Sequence, residues 1–206
     1  ATDGAIDRAM KAAAAAQPAW DALGGERRAA LLDKVADLFE ANREAFFSLC
    51  VREAGKTLPD AVLEVREAVD FLRYYAERAR AGFAEPLRLG GPTGEANELT
   101  LAGRGVFVCI SPWNFPLAIF TGQISAALAA GNAVIAKPAE QTPLVAFEAV
   151  RLLHQAGVPG EVLSLLPGDG ARLGKRLLPD PRIAGVAFTG SNETAAIIHR
   201  SLAGRE

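Results

Sequence analysis

The chain has 206 residues, 50% of them hydrophobic and 22% charged, with a formal net charge of −2. That balance is ordinary for a globular protein, and the length suits one large domain or two small ones with a real core. No basic block argues for nucleic acid, and no apolar run reaches the ~20 residues that would span a bilayer.

Two cysteines, Cys50 and Cys109, and two histidines, His154 and His199, lie far apart along the chain. Their spacing implies neither a disulfide framework nor a metal site, and both histidines read as surface or packing residues. The run of alanines at 12–16 is too short and too weakly apolar for a signal segment, so a cytoplasmic compartment is the expectation.

The first 80 or so residues read as helices. Residues 3–17 are alanine-rich and are expected to stop before Pro18. From Glu26, the apolar set Leu31, Leu32, Val35, Leu38 and Phe39 follows the helical period. Residues 44–53 continue helically until Gly55, and Pro59 suits a first helical position. Val62, Val65, Val69, Leu72 and Ala76 form the inward stripe of the next helix. Glu64, Arg66, Glu67, Asp70 and Arg73 are expected on its solvated face. A break rich in Gly and Pro covers 82–94, and 97–104 reads as an extended piece, one arm of a hairpin.

From Gly105 the pattern becomes strand, turn, helix, repeated. Strands are expected at 106–110, 132–136, 162–166 and 183–188. Helices are expected at 117–130, 144–155, 171–178 and 192–202. Thr142 reads as an N-cap before Pro143, and Gly157 closes that helix. Such alternation predicts an α/β fold: a Rossmann-like parallel sheet with flanking helices and right-handed crossovers, preceded by an all-helical segment. The expected division is 1–84 helical, 85–104 linker or hairpin, and 105–206 dinucleotide-binding core.

Loops at the carboxyl ends of strands are where open α/β sheets place their chemistry. The first such loop is Ser111-Pro-Trp-Asn-Phe-Pro116. Its two prolines stiffen the backbone around one carboxamide, Asn114. Held there, the amide can donate to an oxygen that becomes negative during a reaction, although an Asx turn capping the next helix is the plainer reading. The second loop is Lys137-Pro-Ala-Glu140, where a lysine can donate to ribose or phosphate. Its acid can accept from a ribose 2′-hydroxyl and repel a 2′-phosphate; alone, each would be a surface ammonium and an acid near a helix start. The third, Pro167-Gly-Asp-Gly-Ala-Arg-Leu-Gly174, has a G-x-G-x-x-x-G spacing, one longer than the usual fingerprint. The fourth, Phe188-Thr-Gly-Ser191, opens a helix whose free N–H groups suit a pyrophosphate, or else Ser191 is a simple N-cap.

This ordered set resembles the aldehyde dehydrogenase superfamily over essentially the whole chain, including Pro18-Ala-Trp20 and Arg52-Glu-Ala-Gly-Lys-Thr57. Residues 64–75 and 109–120, with Gln141-Thr-Pro-Leu144, are closer still to the L-glutamate γ-semialdehyde (Δ1-pyrroline-5-carboxylate) dehydrogenase part of bacterial proline utilisation A enzymes. The resemblance implies NAD as cofactor, an aldehyde as substrate, the rest of a longer enzyme as partner, and a homo-oligomer. It makes Asn114 the catalytic oxyanion-hole amide and puts Phe115 beside the aldehyde tunnel. Ile110, Ser111, Pro112 and Trp113 would line the cofactor cleft. Lys137, Ala139 and Glu140 would hold the adenosine ribose, and Gly170 and Gly174 would let a helix approach the cofactor. Phe188, Thr189, Gly190 and Ser191 would form the pyrophosphate turn. The family's cysteine nucleophile and glutamate base are expected beyond these motifs, so the chain by itself is expected to be inactive. Other readings are a different semialdehyde or CoA-acylating dehydrogenase, and a noncatalytic dinucleotide-binding module. NADP instead of NAD stays open, with Glu140 favouring NAD.

Overall fold

The computed structural model describes residues 1–205. Four helices come first: α1 (Asp3–Ala22), α2 (Gly25–Ala41), α3 (Arg43–Ala54) and α4 (Leu58–Phe83). Thr2 and Thr57 cap α1 and α4, each accepting a backbone N–H at 3.3 Å. Gly55, at φ 66°, ends α3 in the left-handed conformation.

Two expectations fail in this part. Helix α1 runs through Pro18 to Ala22. The proline forfeits one helical hydrogen bond, but tertiary contacts hold the last turn. The Gln17 side chain donates to the Gly131 carbonyl at 2.9 Å, and the Trp20 indole N–H to the Leu128 carbonyl at 3.1 Å. On α4, Glu64 is 1% exposed and does not belong to the solvated face. Arg73 meets the expectation better, pairing with Asp33 and Asp37 of α2 at 3.1 and 2.6 Å.

Strands β1 (Leu87–Leu89) and β2 (Asn97–Leu99) form an isolated antiparallel hairpin, with Leu87 opposite Leu99. The first arm falls inside the stretch read as a break, because three exposed residues carry too little periodicity to announce a strand.

The main sheet holds β3 (Val106–Ile110), β4 (Ala133–Lys137), β5 (Leu163–Leu165) and β6 (Ile183–Phe188), all parallel, in the order β5-β4-β3-β6. Helices α5 (Ala118–Ala129), α6 (Pro143–Ala156), α7 (Gly170–Leu177) and α8 (Asn192–Ala203) follow them in turn. Every residue of β4 is buried, as a central parallel strand requires. One apolar cluster runs from Leu32, Phe39 and Leu72 in the helical part to Val108, Ile135 and Leu163 in the sheet.

Helix α5 packs against both the helical part and the sheet. It buries Phe120, Ile124 and Leu128. Both of its ends are met by side chains from the helical part. Glu64 accepts the N–H groups of Leu117 and Ala118 at 3.2 and 2.9 Å. At the other end Arg28 Nε donates to the Ala129 carbonyl at 3.1 Å. An acid at the amino end and a base at the carboxyl end match the helix dipole. Helix α6 starts by a different device from the one expected. The Thr142 hydroxyl makes no capping bond; instead both Glu53 oxygens accept the N–H groups of Leu144 and Val145 at 2.8 Å.

The strand order places the site. From β3 the chain steps outward to β4 and β5, then returns to pair β6 on the other edge of β3. The connection therefore reverses between β3 and β6, and such a switch point opens a crevice at the carboxyl ends of the strands.

Candidate functional site

The turn after β3 forms one lip of that crevice. Ser111 is buried, and its N–H donates to the Lys137 carbonyl at 3.3 Å. The chain then emerges, leaving Trp113 and Phe115 54% and 39% exposed, with Asn114 exposed between them. The opposite lip is the turn after β6. Thr189 N–H donates to the Ile110 carbonyl at 3.1 Å, which continues the sheet pairing for one more residue. A Cβ at Gly190 would lie 2.6 Å from the tip of the Phe188 ring, so a larger residue there would have to displace that ring. The Ser191 hydroxyl caps α8, accepting the Thr194 N–H at 3.2 Å.

Lys137 ends β4 and is 8% exposed. Burial pushes its ammonium below the usual lysine range, while Glu140 and Asp169 act the other way. Its Nζ stands 3.9 Å from Glu140 Oε1. The same oxygen accepts the Gly170 N–H at 2.8 Å, so the acid after β4 steadies the start of α7. A Cβ at Gly170 would sit 3.4 Å from Lys137 Nζ, and glycine leaves that approach open. At Gly174 the nearest neighbour would be Leu178 at 3.7 Å, so at neither position does the protein itself demand glycine.

These loops surround a single cleft of roughly 990 Å³. Asn114 and Phe115 line it, as do Ile110, Ser111, Pro112 and Trp113 of the β3 end. Lys137, Ala139 and Glu140 line it from β4, Gly170 and Gly174 from α7, and Phe188, Thr189, Gly190 and Ser191 from β6. Leu173, Leu177, Ile197 and Ile198 supply an apolar wall between α7 and α8. The cleft brings together an apolar wall, an acid–lysine pair, a helix N-terminus and a carboxamide.

Two side chains that the sequence reading did not select help to shape this groove. Gln123 Nε2 donates to the Ile110 carbonyl and to Thr189 Oγ1, both at 3.1 Å, tying the two lips together. Its signal was the one long polar side chain in an otherwise apolar or small-residue helix. Glu64, already described, was hidden in a stretch of ordinary helical charges.

A model of the aldehyde dehydrogenase family matches residues 1–206. The chain belongs to the aldehyde dehydrogenase family. The bifunctional protein PutA of Escherichia coli (strain K12) is 50% identical over 205 residues, which is 100% of this chain and 14% of that protein. The 1-pyrroline-5-carboxylate dehydrogenase of Anoxybacillus flavithermus (strain DSM 21510 / WK1) is 39% identical over 197 residues, 96% of this chain and 38% of that protein. Among solved structures, a mutant of Bradyrhizobium japonicum proline utilization A (PutA) superposes with a TM-score of 0.97 at 54% identity, covering 100% of this chain and 21% of that one. The 1-pyrroline-5-carboxylate dehydrogenase from Thermus with bound NAD superposes with a TM-score of 0.94 at 38% identity, covering 98% and 39%. The chain thus spans well under half the length of these relatives, and its likeness to them extends across its helical part and its sheet.

Two cysteines are present, Cys50 and Cys109. Neither lines the cleft. Cys109 lies within β3 and Cys50 within α3, and burial pushes both thiols up to about 12. A buried protonated thiol is a poor nucleophile. At pH 8, iodoacetamide is expected to leave both unmodified in the folded chain and to alkylate both in urea. Mass-spectrometric detection of modified Cys109 in the folded protein would restore it as a candidate nucleophile. Among the described residues no cluster of three or more His, Cys, Asp or Glu could hold a metal ion.

Proposed function

We propose that this chain is the NAD-binding part of an aldehyde dehydrogenase that oxidises L-glutamate γ-semialdehyde to L-glutamate in proline breakdown. The observation that carries the reading is the convergence of Asn114, Lys137, Gly170 and Ser191 on one cleft at the switch point. The likeness to proline utilization A and 1-pyrroline-5-carboxylate dehydrogenases supports the choice of aldehyde. The likeness to these enzymes supports a cytoplasmic setting, and among the described residues no helix is long and apolar enough to cross a membrane.

The cleft fits a dinucleotide by its own chemistry. Leu173, Leu177 and Ile197 would flank a purine. Glu140, whose Oε1 is already committed to Gly170, would accept from the adenosine ribose, with Lys137 and Ala139 alongside. The N–H groups opening α8 beyond Gly190 and Ser191 would meet the pyrophosphate, and Phe188 and Thr189 would shape that turn. Ile110, Ser111, Pro112 and Trp113 would border the far end. When bound, NAD supplies the hydride acceptor. Asn114 would donate its amide N–H to the aldehyde oxygen as that oxygen gains negative charge, and Phe115 would flank the aldehyde's approach. The buried thiols of this chain take no part, so the nucleophile and the base would come from the part of the enzyme outside these 206 residues.

Two measurements test the reading. The whole enzyme should convert L-glutamate γ-semialdehyde to L-glutamate with one NADH formed per turnover; turnover confined to other aldehydes would overturn the substrate. Glu140 should set the cofactor choice by repelling a 2′-phosphate. Glu140→Gln keeps an acceptor for the Gly170 N–H but removes the charge. It is expected to narrow the preference for NAD over NADP by about tenfold in kcat/KM, the worth of one like-charge contact near a protein surface. An unaltered ratio would remove Glu140 from cofactor selection.

A further inference from the structure

The turn that carries Asn114 hangs between two anchors. On its near side the Ser111 N–H donates to the Lys137 carbonyl. On its far side the Leu117 and Ala118 N–H groups donate to Glu64 Oε2. Pro112 and Pro116 have no N–H to offer, which leaves the backbone between these anchors few ways to be tied down.

Glu64 reaches this point from α4 and is 1% exposed. A carboxylate that deep needs compensation from both donors and a cation. The donors are the first N–H groups of α5. The cation is Lys56, in the loop between α3 and α4, whose Nζ stands 2.8 Å from Glu64 Oε1. The same ammonium lies 4.2 Å from the centre of the Phe115 ring, within cation–π range. Phe115 follows Asn114 directly. One ammonium therefore touches both the carboxylate that holds the start of α5 and the aromatic neighbour of the carboxamide. Neither Lys56 nor Glu64 lines the cleft.

We propose that Lys56 and Glu64 are positioning residues that aim Asn114. Glu64 fixes the far end of the turn, and Lys56 locks that carboxylate while pinning the Phe115 ring. The catalytic consequence rests on the reading of Asn114 as the oxyanion donor of the proposed dehydrogenase; the geometric consequence does not.

The geometric consequence is tested on the 206-residue chain by NMR. Lys56→Met keeps the length of the side chain and removes its charge. It is expected to shift or broaden the Asn114 side-chain amide and Trp113 indole signals, while the Gly170 and Ser191 amides stay in place. Lys56→Arg should restore them, because a guanidinium can pair with the carboxylate and stack on the ring. Asn114 and Trp113 signals unmoved in Lys56→Met would overturn the proposal. Glu64→Gln is a second probe, and if it does not fold, the lysine pair still decides. In the whole enzyme, Lys56→Met should lower kcat roughly ten- to a hundredfold through misaimed chemistry. Affinity for NAD should hold, and Lys56→Arg should recover kcat. A parallel loss of NAD affinity would reduce the pair to a general packing role. Wild-type enzyme without aldehyde oxidation would sink the proposed function, and the NMR result would still stand or fall by itself.

Discussion

Asn114→Ala is expected to lower kcat of the whole enzyme by about 10²–10³, the usual consequence of removing one oxyanion donor. The expectation follows from where the side chain is held. The turn presents the amide at the cleft lip, bracketed by Pro112 and Pro116 and anchored at both ends, so the backbone that carries the proposed donor is fixed before the substrate arrives. Alanine leaves that backbone intact, since neither the prolines nor the anchoring N–H groups change. Affinity for NAD should therefore survive, because the contacts proposed for its ribose and pyrophosphate belong to the β4 and β6 loops. Asn114→Asp is expected to do no better, as it puts a negative charge where a negative oxygen develops. The measurement is steady-state kcat beside a calorimetric NAD titration. An unchanged kcat would take Asn114 out of the chemistry.

Arg28→Met is expected to destabilise the chain by about 3–5 kcal/mol, in the range seen when a buried charge network loses a member. Arg28 is 1% exposed, which is rare for an arginine. It donates to three carbonyls, of Ala129, Trp20 and Asp21, at 3.1, 3.3 and 2.5 Å. Its guanidinium is 3.6 Å from the Asp21 carboxylate and 5.7 Å from the centre of the Phe83 ring. Burial presses its pKa down and Asp21 raises it, yet an arginine stays charged at any ordinary pH. Methionine would fill much of the space but orphan those carbonyls and leave the Asp21 carboxylate without its cation. Arg28→Lys should recover only part of the loss, since an ammonium cannot serve the same fan of acceptors. Urea unfolding gives the comparison directly. A loss below about 1 kcal/mol would place Arg28 with ordinary surface pairs.

These two residues illustrate how unevenly the chain announces the residues that matter. Asn114 could be picked out because its signals are local. An apolar run precedes it, prolines flank it, and a helix of small residues follows. Lys137, Gly170 and Ser191 each follow a recognisable strand, so knowing the strands placed their loops on a shared edge. Arg28 and Glu64 carried no such mark. Each sits among other charges in an amphipathic helix, and solvent is the ordinary destination for such residues. Gln123 was similarly silent, since its two partners, Ile110 and Thr189, lie 13 and 66 residues away.

Local chemistry in the sequence was enough for the alternating α/β pattern, for β3 to its observed ends, for Gly55 and Gly157 as helix stops, and for the order of the four loops. Proline, glycine and apolar period act over a few residues and need no distant partner. The tertiary structure alone decided that Pro18 lies inside a helix, that Glu53 does the capping expected of Thr142, and that β1 pairs with β2. It also decided that Glu64 and Arg28 turn inward to close the two ends of α5. A charge is buried only when matching groups are waiting; Asp21 and Lys56 are near in sequence, but the backbone groups of α5 that Glu64 and Arg28 meet lie about 50 to 100 residues away, which no reading of neighbours can supply.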